Sequence, residues 1–431
     1  MMSLHDPLFA DDRVDLDVLR QRAHNYRWAE VEEDVIPLTA ADSDFPIAAE
    51  IREAMASYIA SGYLSYGANH GLPSFRATVA ETLARRRGIP CAPAAVFAAN
   101  SAASAMFLVA KALLQPGDEV LIADPVDFLF ERSVVAAGGV VRRFAINVDR
   151  GMTVDVDEVE ALIGPRTRMI AICNPHNPLG RVWSREELAE LAALALRHDL
   201  EILSDEVWSD VVFDGASMVS VAALSPEIAA RTHTVYGFSK GYGLAGLRLG
   251  VVLCPSPAAA DRLAEVSHAD ATAYGVSTLS QVAGAAALTR GGAWQRRFVA
   301  HLRAQRDLAV ERLNAMPGVR CHAPEGTFVV FPEITGLGLD IDEAALAERI
   351  QREARVALVP GSPAFFGPGA AGHLRLSLAT SRGLLNEALD RLEAWIRSER
   401  REPRAAAEIT RPTRRRELVD AAPERPSPTA G

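Results

Sequence analysis

The sequence predicts an α/β protein, with a large domain built as an α/β/α sandwich around a mixed, mostly parallel sheet and a smaller α+β domain. Short apolar segments alternate with amphipathic helical ones along most of the chain, which is typical of parallel strands covered by helices on both faces. Beyond about residue 290 a long helical stretch precedes short strand-like pieces and a last helix. A chain of 431 residues has room for about two or three domains.

Five apolar segments are the predicted strands of the large sheet, and an amphipathic stretch over 184–199 is a predicted helix between them. The strand segments are 119–125, 168–175, 200–207, 232–240 and 248–255. Ligands of such sheets bind at the carboxyl ends of the strands. The residues of interest are therefore the polar ones at those ends: Asp124, Asn174, Asn177, Asp205, Ser239 and Lys240.

The chain divides into four expected parts. We expect an N-terminal segment over 1–45, a large domain over 46–288, a small C-terminal domain over 289–398 and a disordered tail over 399–431. The N-terminal segment is expected to pack against the small domain. The tail is rich in arginine and proline and has few large apolar residues, which is typical of disorder.

Composition excludes several classes of protein. The net charge of −10 argues against a general nucleic-acid binder. The start of the chain has no apolar signal region, and no apolar run reaches membrane-spanning length without a charge. The four cysteines form no CxxC pair, which argues against a metal site and a dense disulfide framework. We therefore expect a soluble cytoplasmic protein without a metal centre.

Lysine is rare in this chain: among 45 basic residues only Lys111 and Lys240 are lysines. Lys111 lies in the helical stretch FLVAKALL and is expected at the surface. Lys240 follows an apolar strand, in the turn of YGFSKGYGLAGLRLG. A lysine in a buried site loses part of its preference for the charged form and can act as a nucleophile. Lys240 is therefore the candidate for covalent amine chemistry.

Three further motifs accompany Lys240. Arg248 follows it by eight residues and offers bidentate contacts to a phosphate. The segment NPHNPLGR (174–181) holds two Asn-Pro pairs and a glycine, which predict an ordered turn. SDEVW (204–208) places Asp205 at the end of a strand, where a buried acid is costly unless it faces a cation.

Together these motifs resemble the class I/II aminotransferases, the fold-type I enzymes that use pyridoxal 5′-phosphate (PLP). The resemblance covers about residues 25–395 and is carried by NPxNPxG, SDE, SK-x7-R and RLSLA in that order. It implies that Lys240 forms the Schiff base with PLP and then moves the substrate Cα proton. It also implies that Asp205 pairs with the pyridine nitrogen, which lets the ring take up electrons, and that Asn177 binds the phenolic oxygen.

The same resemblance implies a phosphate site shared by two subunits. Ser239 and Arg248 match phosphate ligands. NSAASAM (100–106) opens a helix, where the backbone N–H groups of Ala102 and Ala103 would point at the phosphate. Tyr66 matches a tyrosine that reaches the phosphate of the partner subunit, which implies a homodimer with shared active sites.

The substrate side follows from the resemblance as well. Arg375 in HLRLSLA matches the arginine that grips the α-carboxylate of an amino-acid or 2-oxo-acid substrate. Ala41 would lie near that carboxylate, and Asn177 would face substrate as well as cofactor.

Two positions depart from the family pattern. Asp127 stands where the family has an aromatic residue that stacks on the cofactor, although Phe128 or Phe130 could take that place. We hypothesise that Asp127 meets a cationic group of a basic amino-acid substrate or an arginine of the enzyme; a surface loop with altered cofactor packing is the alternative. Trp208 stands where a tyrosine is usual, and it can donate through its indole N–H but cannot act as an acid.

The expected function is therefore a PLP-dependent aminotransferase that converts an L-amino acid to its 2-oxo acid. The segment 24–46 is also similar to that of cystathionine β-lyase-like C–S lyases, so a PLP-dependent C–S β-lyase is the main alternative. A specialised PLP enzyme acting on a basic amino acid is another. A transcription regulator of the same fold is disfavoured, since the charge is negative and no DNA-binding motif precedes residue 25.

Overall fold

A computed structural model describes residues 6–148, 151–271 and 275–401. Within these ranges twelve strands are formed: β1 (Ile36–Pro37), β2 (Val96–Ala99), β3 (Glu119–Asp124), β4 (Val140–Ala145), β5 (Thr167–Cys173), β6 (Glu201–Asp205), β7 (Thr232–Gly237), β8 (Gly250–Leu253), β9 (Val329–Val330), β10 (Val356–Ala357), β11 (Val359–Pro360) and β12 (Leu374–Ser377).

The same ranges contain fifteen α-helices: α1 (Leu16–Arg22), α2 (Ala49–Ala60), α3 (Pro73–Arg87), α4 (Ala102–Leu113), α5 (Leu129–Ala136), α6 (Val156–Ala161), α7 (Arg185–Arg197), α8 (Pro226–Ala229), α9 (Ser239–Tyr242), α10 (Pro257–Val266), α11 (Thr278–Arg290), α12 (Gly292–Ala315), α13 (Glu343–Ala354), α14 (Pro363–Phe366) and α15 (Arg382–Arg401). None of these helices is long and apolar enough to span a bilayer.

The large sheet has seven strands in the order β2-β8-β7-β6-β5-β3-β4. Strand β8 runs antiparallel to its neighbours β2 and β7, and the remaining pairs are parallel. The five predicted strand segments become β3, β5, β6, β7 and β8. The prediction of a mixed, mostly parallel sheet is confirmed.

The central strands are apolar along their whole length because helices cover both faces of the sheet. Leu121 in β3, Ile170 in β5 and Ile202 in β6 are fully enclosed. Helix α4 packs against β6, β7 and β8, α5 against β3, and α7 against β6. Helix α7 begins where the sequence predicts, because Ser184 and Glu187 form a reciprocal capping box.

A second hydrophobic core lies between α12, α13 and α15 and two small sheets. Trp28, Leu313, Leu346, Leu376 and Leu389 are among its buried members. Strands β9, β11 and β12 form an antiparallel sheet, and β1 of the N-terminal segment pairs in parallel with β10. The N-terminal segment thus contributes directly to this second core.

The boundaries expected for the four parts of the chain stay predictions. The tail expected from residue 399 begins inside α15, which continues to Arg401. Residues 402–431 lie outside the described ranges.

Candidate active site

The candidate active site lies where the carboxyl ends of the large sheet meet the second core. Asp205 ends β6, Asn177 lies in the turn after β5, and Lys240 follows β7. Arg375 comes from β12 of the second core. Lys240 interacts electrostatically with Asp127, Asp205 and Arg375, so the structure brings the main predicted residues together.

The side chain of Lys240 is partly buried in the protein. Its Nζ donates a hydrogen bond to the carbonyl oxygen of Ala41 and lies 5.2 Å from the ring centroid of Trp208. Burial lowers the pKa of Lys240, and the nearby carboxylates, Asp42 foremost, oppose that shift in part. An amine with a lowered pKa is more often uncharged at neutral pH and is therefore a better nucleophile.

Asp205 is a buried acid at the end of β6. Burial raises its pKa to about 7, while a hydrogen bond from Val207 N to Oδ1, at 3.1 Å, and the charge of Lys240 lower it. A carboxylate in such a place is stabilised by a nearby cation. A protonated ring nitrogen would supply that cation.

The neighbouring acid, Glu206, has no place in the predicted site. It is buried, and its Oε1 accepts hydrogen bonds from Ser204 at 2.9 Å and Ser220 at 2.7 Å. Burial raises its pKa to about 7, and the serine hydrogen bonds oppose the shift. Glu206 follows the last residue of β6, and the two serines satisfy it within the protein.

Asn177 connects Asp127 to Arg375. Its Nδ2 donates to Asp127 Oδ2 at 2.7 Å, and its Oδ1 accepts from Arg375 Nη1 at 3.3 Å. Arg375 Nη2 also donates to the carbonyl oxygen of Thr39 at 3.2 Å. Arg375 is buried, and its guanidinium lies 5.1 Å from the ring centroid of Phe366. Of the two partners hypothesised for Asp127, an arginine of the enzyme is the one this geometry supplies.

A helix begins within the segment that the sequence analysis expects to bind the phosphate. Helix α4 begins at Ala102 after Ser101, whose Oγ accepts a hydrogen bond from Ser104 N at 3.1 Å. The first N–H groups of a helix, here those of Ala102 and Ala103, have no acceptor within it and attract anions. Ser101 has φ 141°, a value that residues with a side chain rarely adopt.

Gly250 allows the sheet to approach the start of α4 closely. A Cβ added there would lie 2.6 Å from the nitrogen of Ala102, so any larger residue would displace the start of α4. Arg248, which precedes Gly250 by two residues, has φ 49° and an exposed side chain. Ser239 is partly buried at the start of α9. Both predicted phosphate ligands thus lie close in sequence to strands β7 and β8, against which α4 packs.

The aromatic candidates have different surroundings. Trp208 is buried, and its ring packs edge-on against Phe328 with centroids 4.8 Å apart. The ring of Phe128 contacts Phe365 and the guanidinium of Arg132.

Three other residues that the sequence singled out lie away from the site interior. Phe130 is enclosed in the large core. Lys111 is exposed on α4. Tyr66 is 94% exposed, as a residue that reaches a second subunit would be in a single chain.

Residues 39–44, named here the N-terminal strap, border the site at Lys240 and Arg375. Three consecutive carbonyl oxygens of the strap accept hydrogen bonds from cationic side chains. Thr39 O accepts from Arg375 Nη2 at 3.2 Å, Ala40 O from Arg27 Nη1 at 3.0 Å, and Ala41 O from Lys240 Nζ.

Sequence reasoning missed the residues that anchor the strap. Arg27 and Asp44 form a buried ion pair, with side chains 3% and 1% exposed. Trp28 Nε1 donates to the same oxygen of Asp44 at 2.8 Å, and Asp44 N donates to the carbonyl oxygen of Ala379. No local signal separates Arg27 and Asp44 from the other charged residues of the segment 27–44, which include Glu30, Glu32, Glu33, Asp34 and Asp42.

The residues present fit PLP by their chemistry. Lys240 offers a partly desolvated amine to an aldehyde, and Asp205 offers a buried carboxylate to a ring nitrogen. The start of α4 offers N–H groups to a phosphate.

Comparison with known proteins gives a consistent family. Residues 33–392 match the family model of aminotransferase class I and II. The putative aminotransferase YugH of Bacillus subtilis is 34% identical, over 84% of this chain and 92% of that protein. The aspartate aminotransferase of Pyrococcus abyssi is 33% identical, over 90% of this chain and 98% of that protein.

Solved structures agree with this result. The crystal structure of an aromatic aminotransferase from Pyrococcus horikoshii OT3 matches with a TM-score of 0.80 at 32% identity, over 90% of this chain and 100% of that one. A PLP-bound putative aminotransferase from Clostridium difficile 630 matches with a TM-score of 0.81 at 26% identity, over 88% and 97%. These matches do not favour the C–S β-lyase alternative. The chain belongs to the class I and II aminotransferases, with the fold-type I architecture of that family.

Proposed function

We propose that this aminotransferase binds PLP through Lys240 and converts an L-amino acid to its 2-oxo acid in the site described above. One observation carries the proposal. Lys240, with its lowered pKa, follows strand β7, and Asp205 is buried at the end of the adjacent strand β6, where the two groups interact electrostatically. An amine and a buried acid in this arrangement suit an aldehyde and a ring nitrogen of one ligand.

Each of these two side chains has a role in moving or holding a proton. When bound, PLP acts as the electron sink that stabilises negative charge at the substrate Cα. The Nζ of Lys240 removes the proton from Cα and later returns one, as a general acid-base group. The carboxylate of Asp205 keeps a proton on the ring nitrogen, and its burial makes this charge pair stronger than it would be in water.

The remaining predicted residues bind the phosphate of the cofactor and the α-carboxylate of the substrate. The N–H groups of Ala102 and Ala103, with Ser239 and Arg248, bind the phosphate. On the other side, Arg375 binds the α-carboxylate of the substrate through its guanidinium.

We also propose a homodimer in which the partner subunit's Tyr66 reaches the phosphate. Tyr63, Leu64 and Tyr66 are 79%, 65% and 94% exposed in one chain. An exposed run of large apolar side chains is typical of an interaction surface. Measurement of the mass in solution tests this part: a dimer is expected, and a monomer that is fully active would contradict it.

Incubation of the PLP-loaded protein with single amino acids tests the reaction. Transamination is expected to convert the absorbance of the lysine-bound cofactor to that of its amine form, which persists until a 2-oxo acid is added. Release of pyruvate and ammonia from cystathionine or cysteine, with the lysine-bound form restored, would contradict the proposal. The variant Lys240→Ala should show neither change, and Lys111→Ala is the matched control.

A further inference from the structure

Asp127 occupies an unusual position between two residues of the substrate side. Its Oδ2 accepts a hydrogen bond from Asn177 Nδ2 at 2.7 Å and lies 4.0 Å from Arg375 Nη1. Its Oδ1 accepts a hydrogen bond from Leu129 N at 3.0 Å, at the start of α5. Both oxygens are therefore held by the enzyme, and the carboxylate is fixed in place beside Arg375.

The charge of Arg375 is thus matched before any substrate arrives. Its side chain is 9% exposed and that of Asp127 is 16% exposed, so water screens this pair only in part. The other contacts of Arg375 described above are neutral: the oxygens of Thr39 and Asn177 and the ring of Phe366. Asp127 is the carboxylate that lies within ion-pair distance of Arg375 in the described ranges.

A substrate carboxylate that binds Arg375 therefore enters beside an existing negative charge. One carboxylate can share the guanidinium, because Arg375 offers several N–H groups. A second carboxylate on the side chain adds another negative charge to a site that already contains Asp127, Asp205 and Asp42 close to Lys240. Like charges in a poorly screened site disfavour binding.

We propose that Asp127 is a specificity-determining residue that disfavours amino acids with a second carboxylate. The substrates of this site then carry neutral or cationic side chains. This inference rests on the proposed function, since it takes Arg375 as the group that binds the α-carboxylate. It assigns to Asp127 a role in substrate choice through its charge.

The variant Asp127→Asn tests the inference, because it removes the charge and keeps the size of the side chain. In the PLP-loaded enzyme, the ratio of kcat/KM for aspartate to kcat/KM for alanine should rise about tenfold, the effect of removing one like charge from a partly buried site. The matched control is Glu131→Gln, which removes one negative charge from α5 at a residue that pairs with Arg143. The control should leave the ratio unchanged.

A binding measurement separates the charge effect from turnover. Calorimetry with the cofactor-free protein should show that Asp127→Asn binds succinate about tenfold more tightly, while propionate gains less than about threefold, because only succinate carries a second carboxylate. Asp127→Ser is a second neutral variant that can still accept the hydrogen bond from Leu129 N, in case the first variant folds poorly. Asp127→Glu keeps the charge and should keep the discrimination.

The outcomes distinguish this inference from the proposed function. If no amino acid is transaminated by the natural enzyme, the proposed function fails, whatever the succinate result. If transamination occurs but both neutral variants leave the aspartate-to-alanine ratio and the succinate affinity within about twofold, the role of Asp127 is overturned.

Discussion

The two sides of the active site are built in different ways. On the sheet side, Asp205 ends strand β6, while Asn177 and Lys240 follow strands β5 and β7. These strands are held by continuous backbone pairing. Asp205 pairs with Cys173 on one neighbour and Val235 on the other. The N-terminal strap is held by side chains, above all the ion pair between Arg27 and Asp44, together with one backbone hydrogen bond from Asp44 N to Ala379 O.

Because of this difference, substitutions on the two sides should have different effects. A backbone ladder keeps its register when one side chain is replaced, so a substitution on the sheet side alters the charge at a fixed place. The strap depends on two charged side chains that are almost fully buried. A substitution there removes the support of the carbonyl oxygens that face Lys240 and Arg375.

The largest effect is expected from Asp44→Ala, which breaks the strap. It leaves the guanidinium of Arg27 buried without its counter-charge, and such a loss costs about 3–5 kcal/mol of unfolding free energy. Urea unfolding of the cofactor-free protein measures it. Asp34→Ala is the control, because it removes a carboxylate from an exposed pair with Arg355 and should cost far less. Equal costs for the two variants would mean that the strap is not anchored by this pair.

On the sheet side, Asp205→Asn should change the reaction while the fold remains stable. Loss of the carboxylate at the ring nitrogen is expected to lower kcat about a hundredfold or more, as removal of a fixed charge from an active site does. Unfolding of the cofactor-free protein at pH 8 should require at least as much denaturant as before, because burial opposes the charge of Asp205. A destabilised variant with unchanged kcat would reverse the comparison between the two sides.

The sheet side could be predicted from sequence, because the information is local. Apolar runs mark the strands, and Asp205 and Lys240 stand directly at their ends. The strap could not be predicted in the same way. The partners Arg27 and Asp44 are 17 residues apart, and only the tertiary packing shows that both are buried and in contact.

The partners of two acidic residues, Glu206 and Asp127, could not be predicted from the local sequence. SDEVW contains two adjacent acids, and only the structure shows that Ser204 and Ser220 satisfy Glu206. At Asp127 the sequence left a substrate cation and an enzyme arginine open as partners. The structure shows the arginine of the enzyme, since Asp127 lies close to Asn177 and Arg375. The sequence could not show this, because the turn after β3 and strand β12 meet only in the folded chain.

The smallest effect is expected from Glu206→Gln. This substitution should change how the stability of the protein depends on pH. The pKa of Glu206 is raised to about 7 in the folded protein, so its contribution to stability is present below the unfolded pKa near 4.5 and is lost as pH rises through about 7. Between pH 4.5 and 8 the unfolding free energy of the variant should therefore rise by at least about 1.4 kcal/mol relative to that of the natural protein. This amount corresponds to a shift of about one pKa unit.

Urea unfolding of the cofactor-free proteins across this pH range measures the gain, and Glu227→Gln, a substitution at an exposed acid, is the control. If the unfolding free energy of the variant instead falls relative to that of the natural protein, Glu206 is ionised and stabilising in the folded protein.

The central claim is that Lys240 bonds the cofactor, and the chain offers a direct measurement of it. The protein is loaded with PLP, reduced with borohydride and digested, and the modified peptide is identified by mass spectrometry. Since Lys111 and Lys240 are the two lysines of the chain, a lysine adduct can map to only two positions. We expect one adduct, on Lys240, and its loss in Lys240→Ala. An adduct on Lys111, or an adduct that persists in Lys240→Ala, would contradict it.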